Sequence, residues 1–164
     1  EPHITVEGSE SEALSTYLSL MQLSDASLEK LITGGQIDWD INCEEELYSY
    51  CVPKLILQPL VENCIVHGFD KFVEEAVIVI IVRIEEEQLW IEVSDNGVGM
   101  PQEYADEILI SEEVRKDIND RRHIGIKSIQ QRITYLYGEN YGLAIQSKEG
   151  AGTTVQLKLP LKKG

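Results

Sequence analysis

The chain has 164 residues, 43% of them hydrophobic, which is enough for one domain of ordinary size with a real core. Its formal net charge is −15, with acidic triplets at residues 44–46 and 85–87 that read as solvated turns; such a surface repels phosphate backbones and argues against nucleic acid as a partner. No run approaches the roughly 18 apolar residues of a membrane span, no signal peptide opens the chain, and Cys43, Cys51 and Cys64 are odd in number without CxxC spacing. Reduced thiols fit that cysteine pattern better than a disulfide framework. The start at Glu1 without Met is the start expected of a piece of a larger protein, with any membrane anchor in another part.

Ser9 or Ser11 can cap a helix through Leu14, Tyr17, Leu18, Met21 and Leu28, and Gly34-Gly35 stops it. Residues 36–42 alternate Ile37, Trp39 and Ile41 with polar partners, the pattern of a half-buried strand. After an acidic loop, residues 53–70 (PKLILQPLVENCIVHGFD) read as one helix. Pro53 suits its first turn, Pro59 kinks it and Gly68 ends it. Leu57, Leu60, Val61, Cys64 and Ile65 form an apolar stripe, and Asn63 and His67, four apart, share its edge. Two readings stand at this point: a packed platform with a wet polar margin for a ligand, or a buried helix whose Asn and His bond the neighbouring backbone.

Residues 76–84 (AVIVIIVRI) are a nearly unbroken β-branched run and predict a central strand. Residues 85–88 turn it into the alternating LWIEV of residues 89–93, a hairpin. Residues 101–122 then form a long polar connection, of a length usual for a functional lid or a disordered loop. Residues 126–137 predict a third helix, with Ile126, Ile129, Ile133, Leu136 and Tyr137 on one face and Gly138 at its end. Residues 143–146 and 153–159 make a closing hairpin around the turn at 149–152. Sequential hairpins with helices between them predict an α+β fold: a two-layer sandwich of one mostly antiparallel sheet with helices on one face.

Asp95 stands just past a strand end and opens the sequence Asp95-Asn96-Gly97-Val98-Gly99-Met100. A carboxylate there can accept from an exocyclic amine such as adenine's, and glycines let a planar base or a phosphate approach the backbone. Taken alone, Asp-Asn-Gly is a common turn. Gly125, read as opening a helix after a long loop and followed by Lys127, offers backbone N–H groups and a cation to phosphates. Taken alone, it is a single glycine. Gly150-Ala151-Gly152-Thr153 taken alone is a hairpin turn.

In this order, the four pieces resemble the N, G1, G2 and G3 boxes of the Bergerat-fold ATPases, the superfamily of sensor histidine kinases, gyrase and heat-shock chaperones. The segments VPKLILQPLVENCIVHG, DNGVGM, HIGIKSIQQRI, YGENYGLAIQSKEGAGTTVQLKLP and YLSLMQ look like the catalytic domain of LytS/YesM-like sensor histidine kinases, over roughly residues 14–160. The resemblance implies ATP and Mg²⁺ as ligands. Asn63 would ligate the Mg²⁺, His67 would line the phosphate side, and Asp95 would accept from the adenine amine with support from Thr153. Gly97, Gly99 and Met100 would admit the nucleotide, and Gly125, Ile126 and Lys127 would close over the phosphates. Residues 101–122 would be the ATP lid, with Arg115, Lys116, Arg121 and Arg122 as its positive charge. Glu62 precedes Asn63 and is rotated about 100° from it on a helix, so its expected role is on an acceptor or a water rather than on the metal.

Two positions depart from the pattern. His123 stands where the second glycine box opens with glycine, and Ser128 stands where asparagine is common. Pro59 stands four residues before Asn63, where gyrase-type relatives carry a glutamate, which argues against a hydrolysing switch of that kind. The implied organisation is a linker and helix over 1–30 and a catalytic domain over 31–164. The implied partners are an upstream dimerisation domain carrying the acceptor histidine and a response regulator. Pro2-His3-Ile4-Thr5 only imitates the acceptor motif, so His3 reads as ordinary. The full-length protein would be a homodimeric membrane sensor of a bacterium, with this domain in the cytoplasm and not touching the membrane. Two other readings share the fold: a degenerate signalling module without catalysis, and an anti-sigma-type protein-serine kinase.

Overall fold

A computed structural model describes residues 11–13, 38–53, 56–64, 75–110 and 121–162, with the backbone alone for residues 11–13, 39, 58 and 121–124. Seven strands and three helices are described: β1 (Ser11–Ala13), β2 (Asp38–Cys43), β3 (Cys51–Pro53), α1 (Gln58–Asn63), β4 (Val77–Glu85), β5 (Gln88–Asp95), α2 (Gln102–Ile110), α3 (Arg121–Tyr137), β6 (Gly142–Lys148) and β7 (Gly152–Pro160). The main sheet has the order β2-β4-β5-β7-β6. β2 runs parallel to β4, and every other pair is antiparallel. β1 and β3 form a separate antiparallel pair, and the Cys51 N–H also donates to the Lys162 carbonyl at 2.7 Å.

The sheet is built from rows of cross-strand neighbours. On its inner face Ile80, Val93, Val155 and Ile145 make one row, and Val82, Ile91, Leu157 and Leu143 make the next. All eight side chains are buried. Period-two alternation places them there, because a strand sends successive side chains to opposite faces. Leu60 and Val61 of α1, Ala105 and Ile108 of α2, and Ile126, Ile129 and Ile133 of α3 complete the same core. The opposite face is half open and carries an ion-pair network in which Arg83 meets Glu85 and Glu92, each at 3.0 Å. The expected two-layer arrangement, mixed and mostly antiparallel, is the observed one.

The edge strand β6 does not leave its outward backbone groups bare. Gln102 donates from Nε2 to the Ile145 carbonyl at 2.8 Å and accepts from the Ser147 N–H at 2.9 Å. Gln130 of α3 accepts from the Leu143 N–H at 2.6 Å. Two side-chain amides thus stand where a further strand would pair.

Four expectations are corrected. Pro53 ends β3 instead of opening a helix; the chain bends at Ile56 and Leu57 before α1 begins, so Pro59 lies in the first turn, where its missing N–H costs nothing. Within residues 101–122, the stretch 102–110 is α2, anchored by Ala105 and Ile108, and only residues 111–120 lie outside the described residues. α3 starts at Arg121, five residues earlier than its apolar period suggests, because its first turn is polar. Ser11 lies in β1 rather than capping a helix, and the rest of that predicted helix, with Ile37 of the predicted strand, lies outside the described residues.

The β4–β5 hairpin turns through Glu86 (φ 53°) and Glu87 (φ 62°), both left-handed. Two positive φ values in a two-residue loop suit Asn-Gly and cost a glutamate about 1 kcal/mol each. Glu86→Asn with Glu87→Gly is therefore expected to stabilise the fold by about 1–2 kcal/mol, read as a higher urea midpoint at unchanged slope.

Candidate functional site

The hydrophobic rows of the inner face end in a polar one. Next in register after Ile80, Val93, Val155 and Ile145 come Ile78, Asp95, Thr153 and Ser147. The carboxylate predicted as a base acceptor and the threonine predicted to support it are thus direct cross-strand neighbours. Ser147, which no sequence motif flagged, joins them: its hydroxyl lies 2.7 Å from the Thr153 hydroxyl, 3.0 Å from the Gly152 carbonyl and accepts from the Met100 N–H at 2.9 Å. With the Gly150 N–H donating to the Val98 carbonyl at 2.7 Å, these bonds hold the loop after β5 against the β6–β7 turn.

The loop is fixed at its other side by Asn96. Its Oδ1 accepts from the Val77 N–H at 2.8 Å, and its Nδ2 donates to the Glu75 carbonyl. Asn96 therefore ties the loop to the start of β4. Gly99 and Gly152 sit where the loop and the turn cross, each with its missing Cβ pointed at backbone of the other segment.

Asp95 is largely buried. Its carboxylate accepts from the Gly97 N–H at 2.8 Å. Burial pushes its pKa above the usual carboxylate value, and the Gly97 N–H opposes the shift without cancelling it. Two carboxylate oxygens offer about four lone-pair sites, so the Gly97 N–H leaves acceptor capacity for a ligand amine.

α1 and α3 pack against each other, with Pro59 close to Gly125. Each helix carries a buried polar atom that has no partner: Oδ1 of Asn63 on α1 and Nζ of Lys127 on α3. Unpartnered buried polar atoms are rare and costly, and they fit a missing ligand of opposite character. A carbonyl oxygen suits a hard cation, and an ammonium suits a phosphate. Among the described residues no cluster of three or more His, Cys, Asp or Glu could hold a metal by itself, so a cation at Asn63 would draw its other ligands from the bound molecule or water.

The remaining candidates divide. Gly97 and Met100 line the loop, and the Met100 side chain packs partly against the core. Glu62 is partly buried and engaged within the protein. Gly125 does not open a helix: it is the fifth described residue of α3, so its N–H is spent inside the helix. Ile126 is 0% exposed, a core side chain rather than a ligand contact. His67, Arg115 and Lys116 lie outside the described residues, and of Arg121, Arg122 and His123 only the helical backbone is described. Ser128 is exposed on α3.

Residues 53–163 match the sequence profile of the family described as histidine kinase-, DNA gyrase B- and HSP90-like ATPase. The sensor protein kinase HptS of Staphylococcus aureus (strain USA300) is 32% identical over 138 residues, which are 84% of this chain and 26% of that protein. The chain thus spans about a quarter of the curated relatives it matches. Among solved structures, the catalytic domain of the histidine kinase ThkA superposes with a TM-score of 0.66 at 17% identity, covering 92% of this chain and 93% of that one. The histidine kinase domain of a blue-light activated kinase from Erythrobacter litoralis EL346 superposes at 0.58 and 18% identity, over 92% of this chain and 62% of that one. These superpositions speak to the fold, which is that of histidine kinase catalytic domains, and the profile match speaks to ancestry. On that match, the chain belongs to the histidine kinase-, DNA gyrase B- and HSP90-like ATPase family.

Proposed function

We propose that this chain is the Mg·ATP-binding catalytic domain of a bacterial sensor histidine kinase. The supporting observation is the pair of unpartnered buried atoms, a carbonyl and an ammonium, on two packed helices next to a sheet that ends in a carboxylate with a spare lone pair. Asn63 would hold the cation, and Lys127, with Gly125 and the Ile126 backbone beside it, would face the phosphates. Asp95, backed by Thr153, would accept from the adenine amine, while Gly97, Gly99 and Met100 form the wall along the base. Mg²⁺ held at Asn63 would offset the charge of the phosphates. The protein's own part is to hold and orient the nucleotide for in-line transfer.

The acceptor would be a histidine on a dimerisation domain upstream of Glu1, and the phosphoryl group would pass on to a response regulator. His67 would line the phosphate side and Glu62 would act on the acceptor or a water. Residues 1–30 would be the link to the dimerisation domain, and 31–164 the catalytic unit, on the cytoplasmic side of a homodimeric membrane sensor. Among the described residues no helix is long and apolar enough to cross a membrane.

Calorimetry tests the reading. Mg·ATP or Mg·ADP should give saturable heat, and silence at millimolar ligand would remove the proposal. Phosphohistidine on a separately supplied dimerisation domain is the expected product; phosphoserine on a partner would favour the serine-kinase reading. Acid gives a second check. Because the folded Asp95 pKa is raised above its ordinary 3.8, the folded chain binds more protons between the two values. Asp95's contribution to stability therefore rises on acidification through that window, while nucleotide binding that needs the ionised form falls by about tenfold per pH unit below the folded pKa. Asp95→Asn should flatten both trends when compared with wild type across the same series.

A further inference from the structure

The hydroxyl of Ser147 sits among three polar groups and has one proton to give. The Gly152 carbonyl, at 3.0 Å, can only accept, and the Met100 N–H, at 2.9 Å, can only donate. The third neighbour is the Thr153 hydroxyl at 2.7 Å, which can do either. One assignment satisfies every group present. Ser147 gives its proton to Gly152, and its two lone pairs take the Met100 N–H and the Thr153 hydroxyl proton. The Ser147 backbone N–H donates to Oε1 of Gln102 at 2.9 Å, which holds the residue in place on β6.

The consequence falls on Thr153. Its hydroxyl proton is spent on Ser147, so its oxygen has lone pairs to offer and no proton. Among the described residues no other group bonds that hydroxyl. Thr153 is 8% exposed, and its cross-strand neighbour in the polar row is Asp95. A hydroxyl free to turn could give its proton to that carboxylate or to a ligand carbonyl. Ser147 draws the proton the other way. The row then shows a ligand two neighbouring acceptors, the Asp95 carboxylate and the Thr153 oxygen. Such a pair matches an amine, met directly or through a water, and repels a carbonyl oxygen.

We propose that Ser147 is a positioning residue for base selection: by taking the Thr153 hydroxyl proton it makes Thr153 an acceptor, and the paired acceptors select the exocyclic amine of an adenine nucleotide over a carbonyl at the same place. This rests on the reading of Asp95 and Thr153 as the base contact. It places a determinant of base choice on the edge strand β6, one step behind the residues that would meet the base.

The test compares Mg·ATP with Mg·ITP, which carries a carbonyl oxygen in place of the amine, on the 164-residue chain. Calorimetry gives both dissociation constants, and urea midpoints are recorded for each variant. Ser147→Ala and Ser147→Val both remove the hydroxyl, at smaller and larger volume, so that one serves if the other fails to fold. Either frees the Thr153 proton to meet a carbonyl and should reduce the ATP-over-ITP preference by roughly fivefold to tenfold, the scale of one hydrogen bond. Ser147→Thr keeps a hydroxyl and should hold the preference within about twofold of wild type. In a Thr153→Val background, Ser147→Ala should leave the preference where Thr153→Val alone sets it, because the hydroxyl it acts through is gone. A hydroxyl-free variant with a lowered midpoint and an unchanged preference would overturn the inference, since a packing role weakens both nucleotides alike. So would an equal drop in preference in both backgrounds, or a Ser147→Thr variant that loses the preference. Asp95→Asn separates the two levels: if it loses the preference and Ser147→Ala does not, only the role of Ser147 falls. If wild type shows no preference, or Asp95→Asn keeps it, the reading of Asp95 falls and this inference with it.

Discussion

Gly152→Ala is expected to lose on the order of 3–5 kcal/mol of stability and to disorganise the nucleotide end of the sheet at the same time. A Cβ at this position would lie 2.0 Å from the Asp95 carbonyl oxygen and 3.0 Å from the Asn96 Cα. Both are backbone atoms, so no side chain can swing aside to make room. The residue also has φ +88°, which a Cβ disfavours. Gly99→Ala should behave alike, with φ +66° and a Cβ 2.0 Å from the Lys148 carbonyl. Gly150 supplies the control. Its φ is +80° but nothing lies within 4 Å of its missing Cβ, so Gly150→Ala should cost only about 1 kcal/mol for the backbone. Urea midpoints of the three variants measure the difference; equal losses would show that backbone conformation, not the close crossing, dominates.

Asn63→Leu is expected to raise the stability of the ligand-free chain while abolishing tight nucleotide binding. Leucine has nearly the shape of asparagine without its buried, unpartnered Oδ1. Removing an unsatisfied buried acceptor is worth about 1–3 kcal/mol. Lys127→Met should follow the same pattern through its unpartnered Nζ, and its binding loss should be larger for ATP than for adenosine, because the ammonium is assigned to the phosphates. Thermal melts without ligand, paired with calorimetry, read both halves. A variant that loses stability and binding together would point to structural polar groups that the fold needs for itself. Opposite signs are the mark of a site held ready at the expense of the fold.

The sheet was legible because its strands announce themselves twice, by β-branched content in residues 76–84 and by alternation in residues 89–93 and 153–159. The hairpin at Glu86 and Glu87 was legible from its flanks alone, since two glutamates are poor residues for that turn. The helices were harder. α2 fully buries only Ala105 and Ile108, with Tyr104 and Leu109 partly buried against the core, too sparse a stripe to rise above the charges around it. α3 begins with a polar turn that carries no apolar period, so Gly125 looked like a helix start when it is interior. Pro59 looked like a kink because the segment before it, β3 and a bend, is apolar enough to pass for the same helix.

At the site, Asp95 and Thr153 could be named from motif order, but their being opposite each other is a matter of register between β5 and β7, which no single strand encodes. Ser147 escaped for a related reason. Its hydroxyl binds the Met100 N–H from 47 positions away and Thr153 across a hairpin, so nothing in its own neighbourhood marks it. Ile126 was named from its place in the glycine-box segment, yet its helical phase directs it inward.

The sealing of β6 by Gln102 and Gln130 has a consequence for assembly. In the homodimer proposed above, two copies of this domain would meet at high effective concentration. A bare terminal strand under those conditions invites edge-to-edge fusion of the two sheets into one. Here the Leu143 and Ser147 N–H groups and the Ile145 carbonyl are already bonded to side chains of the domain's own helices. Each copy in such a dimer could therefore dwell beside its twin with less tendency for the sheets to join.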